Sequence, residues 1–316
     1  MPMTTLPSTT ALRCLDASAR LLSFTRAARE LHLTQSAVSH HILQLEQLLG
    51  VPLFVRRHGG LDLTAAGQSY WKDIAQVLRH LERATESISA TGGRGGMLNL
   101  SVSSTLANHW LMPRLHAFVT AHPDITLNLS TRVGPIDFTT SNEDASIEFS
   151  PGPQPGLEAR LVMPLVLRPY ISQHALRDFD PALAKRRKPA LSKAQLAALF
   201  TAHRLISRTT VPEAWESWLA AAGLAGAVPE DHFHKGPRYA LMSMAYNGVI
   251  GSLGIALLPR YITHGAVATG QLVCLSDTGW TAPRAYYLRW PSNRAEPQVL
   301  RTFSDWVTGL RQDSDT

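Results

Sequence analysis

The residues best placed to do chemistry in this chain of 316 residues stand in one row, Gln35, Ser36, Ser39, His40 and Gln44, inside LTQSAVSHHILQLEQLLG. Their spacing puts them on one face of a helix, and every one is a short or planar hydrogen-bonding group. Amides and hydroxyls of this kind read base edges in a major groove, where a helix N-terminus also faces phosphate favourably. A plainly solvated face, the alternative, would mix Lys and Glu in i,i+4 pairs. Here no carboxylate enters until Glu46.

The neighbouring sequence supplies elements to hold that row. Ala27, Ala28, Leu31 and Leu33, then Ala37, Val38, Ile42 and Leu45, let two short helices bury one shared face. Thr34 is suited to cap the second helix and His32-Leu33 to break the chain between them, which predicts a helix-turn-helix. Downstream, PLFVRRHGGLDLTAAG sets Arg56, Arg57 and His58 at the tip of a Gly59-Gly60 turn, a two-stranded wing carrying cations toward phosphate or the minor groove. From Ala65 to Ala90 the chain has no Pro, and Tyr70, Ile74, Val77, Leu78, Leu81 and Ile88 return at helical steps. A stripe that narrow on a helix of about 24 residues, roughly 36 Å, calls for a partner helix; packing within the chain is the alternative.

TGGRGG, Thr91 to Gly96, reads as a hinge. Beyond it period-two alternation appears for the first time, at Leu98 to Ser103 and Ile125 to Arg132. Further strands are expected near Ala145 to Phe149, Leu165 to Ser172, Arg204 to Ser207, Gly254 to Leu258, Leu272 to Leu275 and Ala285 to Trp290. Helical patterns between most of them predict α/β units around largely parallel sheets. Ser103, Ser104 and Thr105 fall where the first strand meets a helix, an anion site suited to a carboxylate or else ordinary capping. The run KRRK, Lys185 to Lys188, reads as a solvated loop.

Totals bound the rest. Thirty Lys and Arg against 24 Asp and Glu give a formal charge of +6, which favours polyanionic partners without locating them. Cys14 and Cys274 lie far apart in apolar patterns and read as reduced thiols. With no basic and apolar leader and no apolar run of 18 residues, the chain is read as cytoplasmic and free of membrane spans. Enzyme signatures are missing: no G-x-S-x-G elbow occurs, GVIGSLG lacks the Lys-Ser/Thr of a P-loop, and the histidines lack metal-ligand spacing. No catalytic, metal or cofactor residue is expected.

Ser23 to Gly67 resembles the winged helix-turn-helix of LysR-type transcriptional regulators nearly without gaps. WLMPRLHAFVTAHPDITLNL, GIALLPRY and GQLVCL extend the likeness over almost the whole chain, toward the subgroup resembling glycine-cleavage activators and β-lactamase regulators. The resemblance implies a multidomain α and α/β protein: a DNA-binding domain at 8–64, a linker dimerisation helix at 65–90, the hinge at 91–96, and a two-lobed, periplasmic-binding-protein-like effector domain at 97–312. Lobe I would take 97–163 and 271–312, lobe II 164–270. It puts Thr34, Gln35, Ser36, Ser39 and His40 on the recognition helix, Arg56 and Arg57 on the wing, and Ser23 and Thr25 on phosphates. Candidates for a small-molecule effector are Ser103, Ser104, Thr105, Val133, Gly134, Phe149, Ser207 and Asn247. Partners implied are double-stranded DNA with a dyad promoter site, the effector, RNA polymerase and further copies as a homodimer or homotetramer. Glu148 stands where a basic residue is common, and Ser252 where glycine is; near the cleft Glu148 would repel a ligand carboxylate or pair with a ligand amine, which speaks against a simple anionic effector. The rival reading is a solute-binding or enzymatic α/β domain whose helical head contacts protein rather than DNA.

Overall fold

The computed structural model describes residues 6–57, 60–91, 95–132, 134–139, 141–185, 190–229, 232–233, 235–293 and 296–310. It divides into two units, Met1–Arg94 and Gly95–Thr316. Gly95 opens the second with a positive φ of 78°, and a Cβ there would stand 1.8 Å from the Asp124 carbonyl oxygen. No helix among the described residues is long and apolar enough to cross a membrane.

In the first unit, α1 (Thr9–Leu21), α2 (Phe24–Glu30) and α3 (Gln35–Leu49) precede a hairpin of β1 (Phe54–Arg57) and β2 (Gly60–Leu63), and α4 (Ala65–Thr91) follows. Hydroxyls start three of the helices: Ser8, Ser23 and Thr34 accept from the backbone N–H three residues on, each satisfying an otherwise orphaned donor. Between α2 and α3 the chain turns through His32 at φ 56°. The core is Leu12, Cys14, Leu15, Ala27, Ala28, Val38, Ile42, Leu45, Leu53 and Leu78, with Leu31 packed against it. Leu33, expected in that shared face, is instead exposed in the turn.

The α4 stripe divides, where a single partner-facing seam was expected. Tyr70, Ile74 and Leu78, at i, i+4 and i+8, close over the core of their own unit. Val77 and Leu81 stay exposed, at 55% and 48%; the side chain of Ile88 lies outside the described residues. Trp71 fixes the inner face further by donating from Nε1 to Asp16 on α1 at 3.0 Å.

The second unit carries β3 (Gly96–Ser103), β4 (Ile125–Arg132), β5 (Ala145–Ser150), β6 (Leu157–Ser172), β7 (Leu205–Arg208), β8 (Arg238–Tyr239), β9 (Ile255–Leu258), β10 (Leu272–Cys274) and β11 (Trp280–Pro291). Its helices are α5 (Ser104–Leu106), which runs through a π-helical turn (Ala107–Leu111) into α6 (Met112–Ala121), then α7 (Gln173–Phe179), α8 (Pro181–Ala184), α9 (Lys193–Ala202), α10 (Ala214–Ala221), α11 (Met242–Ile250), α12 (Arg260–Ala268) and α13 (Gln298–Gly309). The strand order is β4-β3-β5-β11-β6-β9-β7-β8, with β10 also on β6.

The expected largely parallel sheets are therefore corrected to a mixed path. β3 pairs parallel with β4 and β5, and β7 with β8 and β9, but every pair made by the long strands β6 and β11 is antiparallel. These two strands belong to both lobes. Their register breaks between Thr281↔Val166 and Ala285↔Pro164, where Pro164 and Pro283 have no N–H to give the ladder. β10 pairs with β6 at Tyr170 to Ser172, and the chain then runs on into β11. Aromatic residues fill the lobe cores, Phe118 against Phe303 and Trp306 in one and Phe200 against Trp215 and Trp218 in the other.

One glycine in the first unit holds helix α4 to the wing. A Cβ on Gly67 would lie 2.0 Å from the Leu53 carbonyl oxygen, so Gly67→Ala should lower the thermal stability of that unit by about 1–3 kcal/mol. Gly60→Ala, with open space around it, should change it by less than about 0.5 kcal/mol, as thermal unfolding of the two variants would show.

Candidate nucleic-acid interface and effector cleft

On α3 the inner face is set by Val38, Ile42 and Leu45, all buried. That leaves Gln35, Ser36, His40 and Gln44 exposed and Ser39 half-buried on the outer side. Thr34 Oγ1 accepts from the Ala37 N–H and pairs with Ser36 Oγ at 3.0 Å. Exposed Thr25 on α2 donates to Gln35 Oε1 at 3.2 Å, which orients the amide before any base is present. Ser23 spends an acceptor lone pair on the Arg26 N–H and keeps its own proton to donate.

Glu46 does not share this surface. Its Oε1 accepts from the Leu53 and Phe54 N–H groups at 2.7 and 3.1 Å, so the one carboxylate near the row is committed to fixing the entry of the wing. In the hairpin Arg56 pairs with Leu61 and Arg57 with Gly60. The side chains of Arg56 and Arg57, and all of His58, lie outside the described residues.

In the second unit a cavity of about 400 Å³ opens between the lobes, within the usual range for small-molecule sites. Five of the candidate residues line it: Ser103, Ser104, Thr105, Gly134 and Phe149. Val133 lies outside the described residues. Ser207 and Asn247 do not reach it. Successive strand residues point to opposite faces, so on β7 it is Arg208 that faces the cavity. Asn247 is exposed and lies more than a turn along α11 from Leu241 and Met242, which do line it.

Of the two roles foreseen for the hydroxyls at the end of β3, ordinary capping does not hold for Ser103. Ser103 makes no capping bond. Thr105 accepts from the Ser243 N–H at 3.2 Å and sits 3.3 Å from Ser243 Oγ, a hydrogen-bonded contact from lobe I to the first turn of α11 in lobe II.

The polar floor of the cavity follows from the β5–β11 register. Phe149 faces Tyr286 and Glu148 faces Tyr287, so Arg289, two beyond Tyr287, falls diagonal to Glu148. Arg289 Nη1 meets Glu148 at 2.5 Å with both groups buried, and Nη2 meets Gln154. On the opposite face Arg284 lies 4.7 Å over the Phe149 ring and donates to the Thr210 carbonyl oxygen. Tyr286 and Tyr261 share a hydroxyl contact of 3.1 Å. Burial raises the pKa of both phenols, and each keeps its proton.

Arg208 has no acidic partner among the described residues. Burial lowers its pKa, the Tyr286 and Tyr261 hydroxyls oppose that shift, and the neighbouring Arg284 charge adds to it. The expectation drawn from Glu148 is thus corrected. Its charge is matched by Arg289, and the cavity is cationic rather than hostile to anions. Arg208, Arg284, Arg289, Thr210 and Tyr286 escaped sequence reading; a guanidinium closing the apolar strand LISR was the available signal, since ligands gather at the carboxyl ends of such strands.

Both units match a known family. Residues 9–68 match the model described as bacterial regulatory helix-turn-helix protein, lysR family, and residues 91–311 the LysR substrate binding domain. The glycine cleavage system transcriptional activator of Escherichia coli (strain K12) is 33% identical over 304 residues, 96% of this chain and 93% of that protein. The HTH-type transcriptional activator AmpR of Rhodobacter capsulatus is 34% identical over 303 residues, 95% of this chain and 96% of that one. Among solved structures, CrgA, a LysR-type transcriptional regulator from Neisseria meningitidis, aligns with a TM-score of 0.53 at 22% identity, covering 96% of this chain and 98% of its own. With matches across both units and relatives aligned nearly end to end, the chain belongs to the LysR family of DNA-binding transcriptional regulators that carry an effector-binding domain.

Proposed function

We propose that this regulator reads a dyad promoter site by laying α3 in the major groove, with Gln35, Ser36, Ser39 and His40 on base edges and Thr34 at the helix start. Ser23 and Thr25 hold flanking phosphates, and Arg56 and Arg57 bring the wing to the backbone or the minor groove. The observation that carries this reading is the α3 surface itself. The row of Gln35, Ser36, Ser39, His40 and Gln44 carries hydrogen-bonding groups and no carboxylate, Gln35 is held by Thr25, and the nearby carboxylate of Glu46 is withdrawn into backbone contacts.

Val77 and Leu81, one turn apart on α4, leave an apolar strip on the solvent side of the first unit. A second copy of the same helix is its proposed cover, pairing two recognition helices for successive half-sites. The cleft of the second unit would take a small-molecule effector whose binding shifts the lobes about β6 and β11, and so alters DNA bending and recruitment of RNA polymerase. A homodimer or homotetramer in the cytoplasm is the expected working form.

Purified protein on genomic fragments over a salt series, followed by footprinting, tests the DNA reading. It should protect a dyad site, with affinity falling as salt rises. Gln35→Ala should weaken that site by about 1–3 kcal/mol and relax preference at one base pair in each half-site; unchanged affinity and preference would remove α3 as the reader. Val77→Asp with Leu81→Asp should shift sedimentation toward monomer and weaken operator binding. A pair variant that sediments as wild type would sink the α4 seam.

A further inference from the structure

We propose that the effector is a small organic dianion, anchored at one end by Arg208 and Ser150 on the cavity floor. The inference rests on the effector reading above and names the class of ligand. Four arginines line the cavity, Arg132, Arg208, Arg284 and Arg289, and one carboxylate, Glu148. Because Glu148 is taken up by Arg289, three cations face the space without a carboxylate partner among the described residues.

Unused hydrogen-bonding capacity points the same way. Arg208 Nε and Nη1, Arg289 Nε, Thr210 Oγ1 and Ser150 Oγ are all buried and make no hydrogen bond to the described residues. Ser150 and Arg289 are only 4% and 3% exposed. Leaving such donors unpaired is unfavourable, and a buried guanidinium beside a second guanidinium is more so. Converging on one cavity, these groups suit an acceptor-only ligand of negative charge, because carboxylate and phosphate oxygens accept from guanidinium and hydroxyl and bring no proton of their own. The Phe149 and Tyr286 rings, 5.7 Å apart, give its carbon skeleton an apolar wall.

A second cavity of this unit, about 630 Å³ beside α12, lacks this character. Its Tyr170 has Thr263 and Cys274 as partners and its pKa is pushed up to about 12, mainly by burial. The Cys274 thiol donates to the Ser276 carbonyl oxygen, and Arg168 to that of Asp277.

A charge ladder at nearly constant size provides the test. Succinate, succinamate and succinamide, carrying two, one and no negative charges, are titrated into the full-length protein by calorimetry and by thermal shift. Affinity should rise with charge, by roughly tenfold or more from diamide to dianion. Arg208→Met should flatten the ladder, Arg208→Lys should retain part of it, and Ser150→Ala, a mild change that spares the charge, should weaken succinate several-fold. Unfolding temperatures without ligand show that each variant is folded. A flat ladder in the wild type, or one unchanged by both Arg208→Met and Ser150→Ala, overturns the proposal. Should the ladder be flat while a neutral or cationic compound alters the operator footprint, the anion is wrong and the effector reading survives; should no compound alter the footprint, that reading falls as well.

Discussion

Antiparallel pairing of β6 with β11 is the interaction on which the second unit depends. Both strands pass from one lobe to the other, and β11 pairs with β5 on its other side. The same ladder therefore holds the lobes together and delivers Arg284, Tyr286 and Arg289 to the cavity between them. The ladder shifts register twice, at Pro164 and Pro283 and again between Tyr286 and Tyr287; the first is a break where the prolines leave the lobes less backbone pairing to resist a change in their angle. A ligand touching both Arg208 of β7 and Ser150 of β5 would act across that break.

Charge in the cleft follows from the same ladder. Diagonal placement on adjacent strands gives Arg289 to Glu148, and a buried ion pair loses several kcal/mol if one member is removed. Glu148 is best understood as the support of one arginine. It leaves Arg208 without an acidic partner among the described residues, and burial of that cation lowers its pKa.

The first unit solves a different problem with a similar economy of groups. α3 buries Val38, Ile42 and Leu45 and leaves a row of hydrogen-bonding groups on its other side. The Glu46 carboxylate is held by two backbone N–H groups that take its charge inward. On α4 the apolar residues divide: Tyr70, Ile74 and Leu78 complete the local core, and Val77 and Leu81 stay exposed. A helix with 3.6 residues per turn separates Leu78 from Val77 by about 100°, enough to face two surfaces at once.

Much of this was legible along the chain. Apolar spacing at Ala27, Val38, Ile42 and Leu45 determined the helix pair, Thr34 its cap, and the Gln35 to Gln44 row its outward chemistry, because helix periodicity and capping are local properties. Alternation likewise placed strands at β3, β4 and β5. Tertiary structure alone decided what depends on residues distant in sequence meeting in space. The pairing of Glu148 with Arg289 spans 141 positions, the contact of Thr105 with Ser243 spans 138, and the choice of Arg208 over Ser207 turns on a single-residue alternation that an apolar strand end does not reveal. The antiparallel course of β6 and β11 was hidden for the same reason: a strand buried on both faces reads alike in either direction, and only its neighbours fix its sense.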